Sequence, residues 1–156
     1  MAKVTVYTDG GASGNPGPGG YGAVMLSGKH YKELSGAFRL TTNNRMELLA
    51  VIKSLEALKT PGTEVTVYSD SKYVVDSVKK KWVFGWVKKN FKGKKNPDLW
   101  KRFLKIYEIH KVEFVWVKGH AGNEYNEVAD KLAVSAYADG ILPLEVDVAY
   151  EASEKG

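Results

Sequence analysis

Two stretches of the chain, Val6-Tyr7-Thr8-Asp9 and Val67-Tyr68-Ser69-Asp70, share one form: a β-branched and aromatic run that closes on a hydroxyl residue and then an aspartate. Val, Tyr and Thr suit a pleated, half-buried backbone, so each stretch reads as a strand with an acid at its exit. Laid side by side in parallel, the two backbones would stand about 4.8 Å apart, which puts both carboxylates at one level on the carboxyl edge of a sheet. Open α/β sheets bind their ligands at that edge. Two metal ions that share a ligand stand about 3.5–4 Å apart, so aspartates at strand spacing can hold such a pair. A single strand-ending Asp is ordinary turn chemistry, its side chain bonding nearby amides; the repetition is what argues for a site.

The 156 residues, 44% of them hydrophobic, match one domain with a proper core. Residues 3–9 form the first strand. The run from Gly10 to Gly20 is dense in Gly and Pro, which predicts a shaped loop, either a cradle of amides for phosphate or a tight link between antiparallel strands. No P-loop Lys closes it and no Rossmann fingerprint opens here onto a helix. Residues 21–27 and 31–39 read as a hairpin turning at Gly28-Lys29.

Thr41-Thr42-Asn43-Asn44 offers N-caps for a helix over 45–59, with Met46, Leu49, Ile52 and Leu55 on one face. Glu47 falls in the first turn of that helix, where an acid three residues after Asn44 resembles a capping box. Pro61-Gly62 ends it, and residues 64–70 form a strand that a right-handed crossover makes parallel to the first. A short helix over 71–80, a fifth strand over 112–117 and a helix over 124–138 follow. The helix over 124–138 has Val128, Ala129, Leu132, Ala133 and Ala136 as its inner face. Asp130 on this helix reads by itself as surface charge. His120, in the glycine-flanked loop before it, suits proton movement near neutral pH, or stands idle in solvent.

Charge is unevenly spread. Residues 79–105 hold eleven Lys or Arg and one acid, Asp98, while the rest of the chain is net acidic. Trp82, Phe84, Trp86, Phe91, Trp100 and Phe103 are interleaved with those bases. Cations neutralise phosphates and rings pack on sugars or bases, so the block predicts a polyanion partner, with some rings buried in the core. There is no cysteine, which excludes disulfides and thiolate metal sites. Without an apolar leader or an apolar run of about 18 residues, the expected protein is soluble and cytoplasmic, with no membrane partner.

With these residues located, the chain resembles bacterial type 1 ribonuclease H. The resemblance covers about residues 3–138. It is carried by Tyr7-Thr8-Asp9-Gly10, the run from Gly14 to Gly20, the run from Thr41 to Leu48, Ser69-Asp70-Ser71, and Trp116-Val117-Lys118-Gly119-His120-Ala121-Gly122. It implies an α/β ribonuclease H-like fold, a five-stranded mixed sheet flanked by α-helices. Residues 1–140 would form the catalytic domain with a basic handle at about 79–105, and residues 141–156 a C-terminal tail.

The implied activity is hydrolysis of the RNA strand of RNA–DNA hybrids, largely independent of sequence, by a monomer. By the family pattern Asp9, Glu47, Asp70 and Asp130 bind two Mg²⁺ ions, with Mn²⁺ able to substitute. One ion prepares the attacking water and the other stabilises the leaving 3′ oxygen, giving 5′-phosphate and 3′-hydroxyl ends. His120 assists proton movement or product departure. Asn15, Thr42, Asn43, Asn44 and the Gly10 backbone touch the hybrid, while Trp82, Trp86, Lys88, Lys89, Lys94, Lys95 and Trp100 belong to the handle. Lys72 stands where enterobacterial members carry an amide, Ala12 replaces a cysteine of some relatives, and the handle is shorter than in the longest forms. A resolvase or integrase core with another acid set, a non-catalytic hybrid-binding module and a reverse-transcriptase tail domain are the competing readings.

Overall fold

The computed structural model describes residues 3–118, 123–140 and 142–155. Three antiparallel strands come first, β1 (Lys3–Ala12), β2 (Gly17–Ser27) and β3 (His30–Thr41), then helix α1 (Asn43–Glu56) and strand β4 (Glu64–Ser69). Helices α2 (Lys72–Lys79), α3 (Trp82–Lys88) and α4 (Pro97–Tyr107) precede β5 (Lys111–Trp116), and α5 (Glu124–Ala138) and α6 (Val148–Lys155) complete the chain. The sheet order is β3-β2-β1-β4-β5, with β1, β4 and β5 mutually parallel. This is the expected five-stranded mixed sheet. None of the described helices is long and apolar enough to cross a membrane.

The register of β1 on β4 pairs Val6 with Val67, Tyr7 with Tyr68 and Thr8 with Ser69. The repeated phrase is thus a repeat in space. Val6 and Val67 are fully buried beneath α1, while Tyr7 stacks on Tyr68 at 4.9 Å and Tyr125 of α5 tilts against Tyr7 at 5.3 Å. Alternate side chains of a strand face opposite ways, so one phrase packs two layers.

The glycine-rich segment corrects an expectation. β1 runs on through Gly10, Gly11 and Ala12, paired with Tyr21, Gly20 and Gly19 of β2, and only residues 13–16 turn the chain. The tight antiparallel link is therefore the reading that holds. The glycines make room for α5. A Cβ on Gly20 would stand 2.5 Å from the Ala133 carbonyl oxygen, and one on Gly22 would meet that of Ala129. Small Ala129, Ala133 and Ala136 complete this close helix-on-strand contact.

The larger core lies on the other face, where α1, α2, α3 and α4 cover Val6, Val65, Val67 and Phe114. Trp100 is 0% exposed there, its Nε1 donating to the Tyr73 hydroxyl at 2.8 Å. It belongs to the core and not to the nucleic-acid surface that the resemblance assigned to it. Phe91 and Phe103 are buried with it. A Trp among lysines reads alike in either role, and the amphipathic turn of α4 decides it; truncation to Ala would cost about 3–5 kcal/mol.

Segment 142–155 is integrated with the sheet. Phe38 bridges Glu145, Asp147 is buried, and Arg39 forks onto Glu151 at 2.8 and 2.9 Å. Arg45, 3% exposed, donates from Nε and Nη2 to Asp147 and from Nη1 and Nη2 to Asp98. Burial works against the Arg45 charge, and the two carboxylates more than offset it. One guanidinium therefore joins α1, α4 and the lead into α6.

Candidate active site

Asp9 lies on β1 one residue past its last pairing with β4, and Asp70 immediately follows β4, so the parallel register brings both to the same level. Glu47 arrives from α1. The helix is capped by Thr42, whose side chain accepts from Arg45 N, and no acid lies in its first turn. The capping-box reading of Glu47 is thereby overturned, because the helix starts at Asn43 and Glu47 sits in its second turn. α1 reaches β1 because Gly10 has no side chain: a Cβ there would stand 2.5 Å from Glu47 N.

Ligand oxygens of Asp9, Glu47 and Asp70 lie within 4.8 Å of one another. Loss of hydration, the Asp70 charge and a hydrogen bond with the Asp130 side chain push the Asp9 carboxyl up to about 8, against a backbone hydrogen bond from Gly10 N. Burial first, then the charges of Asp9 and Asp70, hold Glu47 well above the usual carboxylate range. Asp130, on α5, thus acts on the Asp9 carboxyl but is not one of the three acids whose ligand oxygens converge.

Glu47 Oε1 and Asp70 Oδ1 are buried and accept no hydrogen bond among the described residues. A bare buried carboxylate oxygen costs ~1–3 kcal/mol or more, a penalty that a divalent cation removes. The donor set is all oxygen, which suits a hard cation such as Mg²⁺ or Mn²⁺. His120 lies outside the described residues.

Beside the acids, Asn43 N donates to Asn15 Oδ1 at 2.8 Å and Ala12 N donates to Asn43 Oδ1 at 2.6 Å. These bonds fix two amides in place at an exposed edge. Asn15, Thr42, Asn43, Asn44, Lys94 and Lys95 all line one groove of about 770 Å³. A second groove of about 600 Å³ gathers Trp82, Trp86, Lys81, Lys89, Lys92 and Lys94. Lys80 Nζ sits over Trp82 and Lys94 Nζ over Trp86, both at 5.2 Å. Trp82 is 47% exposed, and Lys88 is exposed at the end of α3.

A family model for RNase H matches residues 1–138. The chain belongs to the ribonuclease H family. It is 54% identical over 151 residues to a ribonuclease H of Desulforamulus reducens, covering 94% of each chain. A ribonuclease HI of Synechocystis is 51% identical over 141 residues, covering 86% of this chain and 88% of that one. Among solved structures, LC9-RNase H1, a type 1 RNase H with the type 2 active-site motif, aligns at TM-score 0.81 with 31% identity over 98% of this chain and 82% of its own. LC11-RNase H1 in complex with RNA/DNA hybrid aligns at 0.65 with 29% identity over 88% and 99%.

A contact outside the sequence reading also lies next to the ribonuclease H acids. Trp116 Nε1 donates to the Asp70 carbonyl oxygen at 3.2 Å, and Lys72 Nζ lies 4.8 Å from the centre of the same ring. Asp147 is buried and paired, likewise without a local sequence signal. Its partner Arg45 is 102 residues away.

Proposed function

We propose that this ribonuclease H family member is a divalent-cation-dependent endoribonuclease that cuts the RNA strand of RNA–DNA hybrids, acting as a monomer and without regard to base sequence. The observation that carries the reading is the pair of bare, buried carboxylate oxygens on Glu47 and Asp70 beside a carboxyl, Asp9, whose ionisation is suppressed. Full ionisation of such a cluster is costly unless cations offset it. The hybrid held by LC11-RNase H1 supports the choice of substrate.

Asp9, Glu47, Asp70 and Asp130 would hold the cations. Two Mg²⁺ ions held there would supply activation of the attacking water and charge neutralisation at the leaving 3′ oxygen, for 5′-phosphate and 3′-hydroxyl products. Asn15, Asn43 and Asn44 present short amides that reach 2′-hydroxyl and base-edge groups in a wide, shallow minor groove, which tells RNA from DNA without reading sequence. Thr42 and the Gly10 backbone complete the contacts nearest the acids. Lys88, Lys89, Lys94 and Lys95, with Trp82 and Trp86, take the backbone farther along the duplex. His120 is assigned to proton movement or product departure.

The test is incubation with Mg²⁺ and end-labelled hybrid, duplex DNA and duplex RNA. Cutting confined to the RNA of the hybrid is expected. Comparable cutting of duplex DNA, or no cutting of any of the three, overturns the reading.

A further inference from the structure

The C-terminal segment has no part in the reading above, yet it walls the groove that contains Asn15, Asn43 and Asn44. Ala149, Tyr150 and Ser153 of α6 line that groove together with Lys94 and Lys95 of the handle. The segment is built in at several points. Arg39 N donates to the Glu145 carbonyl and Glu145 N to that of Ala37, both at 2.9 Å, and Thr41 Oγ1 donates to Asp147 Oδ2 at 2.7 Å.

Charge is the informative part. An acidic segment beside a phosphate backbone would repel it, but two of its four acids are bound, Asp147 by Arg45 and Glu151 by Arg39. Asp98, the acid within the groove lining, is held by Arg45 as well. The α6 residues in the lining, Ala149, Tyr150 and Ser153, are neutral, and Arg45 lies over the Tyr150 ring at 5.9 Å. Lys94 and Lys95 pair with no carboxylate among the described residues. Among its described lining residues the groove is thus positive on the handle side and uncharged on the α6 side, a combination that admits a polyanion.

We propose that α6 is part of the hybrid-binding surface, with Tyr150 and Ser153 contacting the sugar-phosphate backbone of the strand that is not cut. The acids claim the cut strand, and no member of their cluster lines this groove. Asn43 and Asn44, one helical turn from Glu47, stand at the edge of the groove nearest the acids and keep their reach into the minor groove, so it is the α6 wall that meets the duplex across the minor groove from the scissile bond. This rests on the hybrid-nuclease reading, and the experiment separates the two.

Ser153 is exposed, so Ser153→Glu and Ser153→Lys test the contact with opposite charges. Hybrid Kd is measured by fluorescence anisotropy over a salt series in EDTA, and KM and kcat with Mg²⁺. Ser153→Glu is expected to weaken binding roughly 3–10-fold and raise KM with kcat unchanged, while Ser153→Lys tightens binding and steepens the log–log salt slope by about 0.9. A folding defect would weaken both variants alike, and that result overturns the proposal. So do two variants that match the wild type in Kd and slope while the wild type binds and cuts the hybrid. A wild type that does not bind the hybrid overturns this proposal together with the nuclease reading.

Discussion

Arg45 and Asp147 meet through two parallel hydrogen bonds, Nε to Oδ2 at 2.7 Å and Nη2 to Oδ1 at 2.8 Å, in a site where both side chains are less than a tenth exposed. Asp147→Ala leaves half of a buried guanidinium without its partner and unties α6, at an expected cost of about 3 kcal/mol. Urea unfolding measures it. A loss well below 1 kcal/mol would show that the segment is only loosely coupled to the fold.

Asp9→Asn and Asp70→Asn each remove a ligand charge and also a repulsion within the acid cluster. Turnover of hybrid should fall by at least about 10³-fold in either variant, while the metal-free protein gains stability by roughly 1 kcal/mol. Opposite movements of activity and unfolding midpoint are the signature. Ordinary activity in either variant would place the chemistry elsewhere.

Proton linkage gives a test without substrate. Asp9 holds its proton up to about 8, far above the ordinary 3.8, so its contribution to the metal-free fold is complete below 3.8 and is lost as pH rises through about 8. Glu47 acts in the same direction. The Tm of metal-free protein should therefore decline across this window, and Mg²⁺ should raise Tm more at about pH 8 than at about pH 5. An equal Mg²⁺ effect at both would separate cation binding from these carboxyls.

Replacing Lys88, Lys89, Lys94 and Lys95 with Ala should weaken hybrid binding and flatten the log Kd against log salt plot by up to about 3–4 units, with cleavage of saturated substrate little changed. An unaltered slope would show that these lysines touch no phosphate.

His110 works in the other direction from the acids. Its Nδ1 is buried with no hydrogen-bond partner among the described residues, and burial holds the imidazole below the ordinary 6.5. Stability contributed by the neutral ring is present above 6.5 and lost as pH falls through its lowered value, because the unfolded chain takes up the proton first. Relative to wild type, His110→Gln should unfold less readily as pH drops below about 6. Parallel stability–pH curves for the two proteins would remove His110 as the cause.

The sheet and the two strand-end acids were legible because a repeated hydrophobic phrase specifies both which faces are buried and which residues sit level. Glu47 was ambiguous, since a helix acid near an Asn cap looks the same whether it serves the helix end or a neighbouring strand. The Gly10–Gly20 run looked like a loop because glycine marks turns far more often than a helix resting on a strand. Trp100 and Trp82 carry the same local signal, and only tertiary packing buries one and exposes the other. The Arg45 clamp joins partners too distant in the chain for any window to pair them.

The contact of Gly10 with α1 has a bearing on how the chain tolerates change. Separation between the Asp9 and Glu47 carboxyls is set by main chain resting on main chain, with no side chain in between to shrink or swell. Substitutions in the interior can therefore erode folding free energy while the spacing of the acids persists. A single methyl at position 10 would do the reverse, prying the helix off the strand and widening the gap in a protein that is otherwise sound.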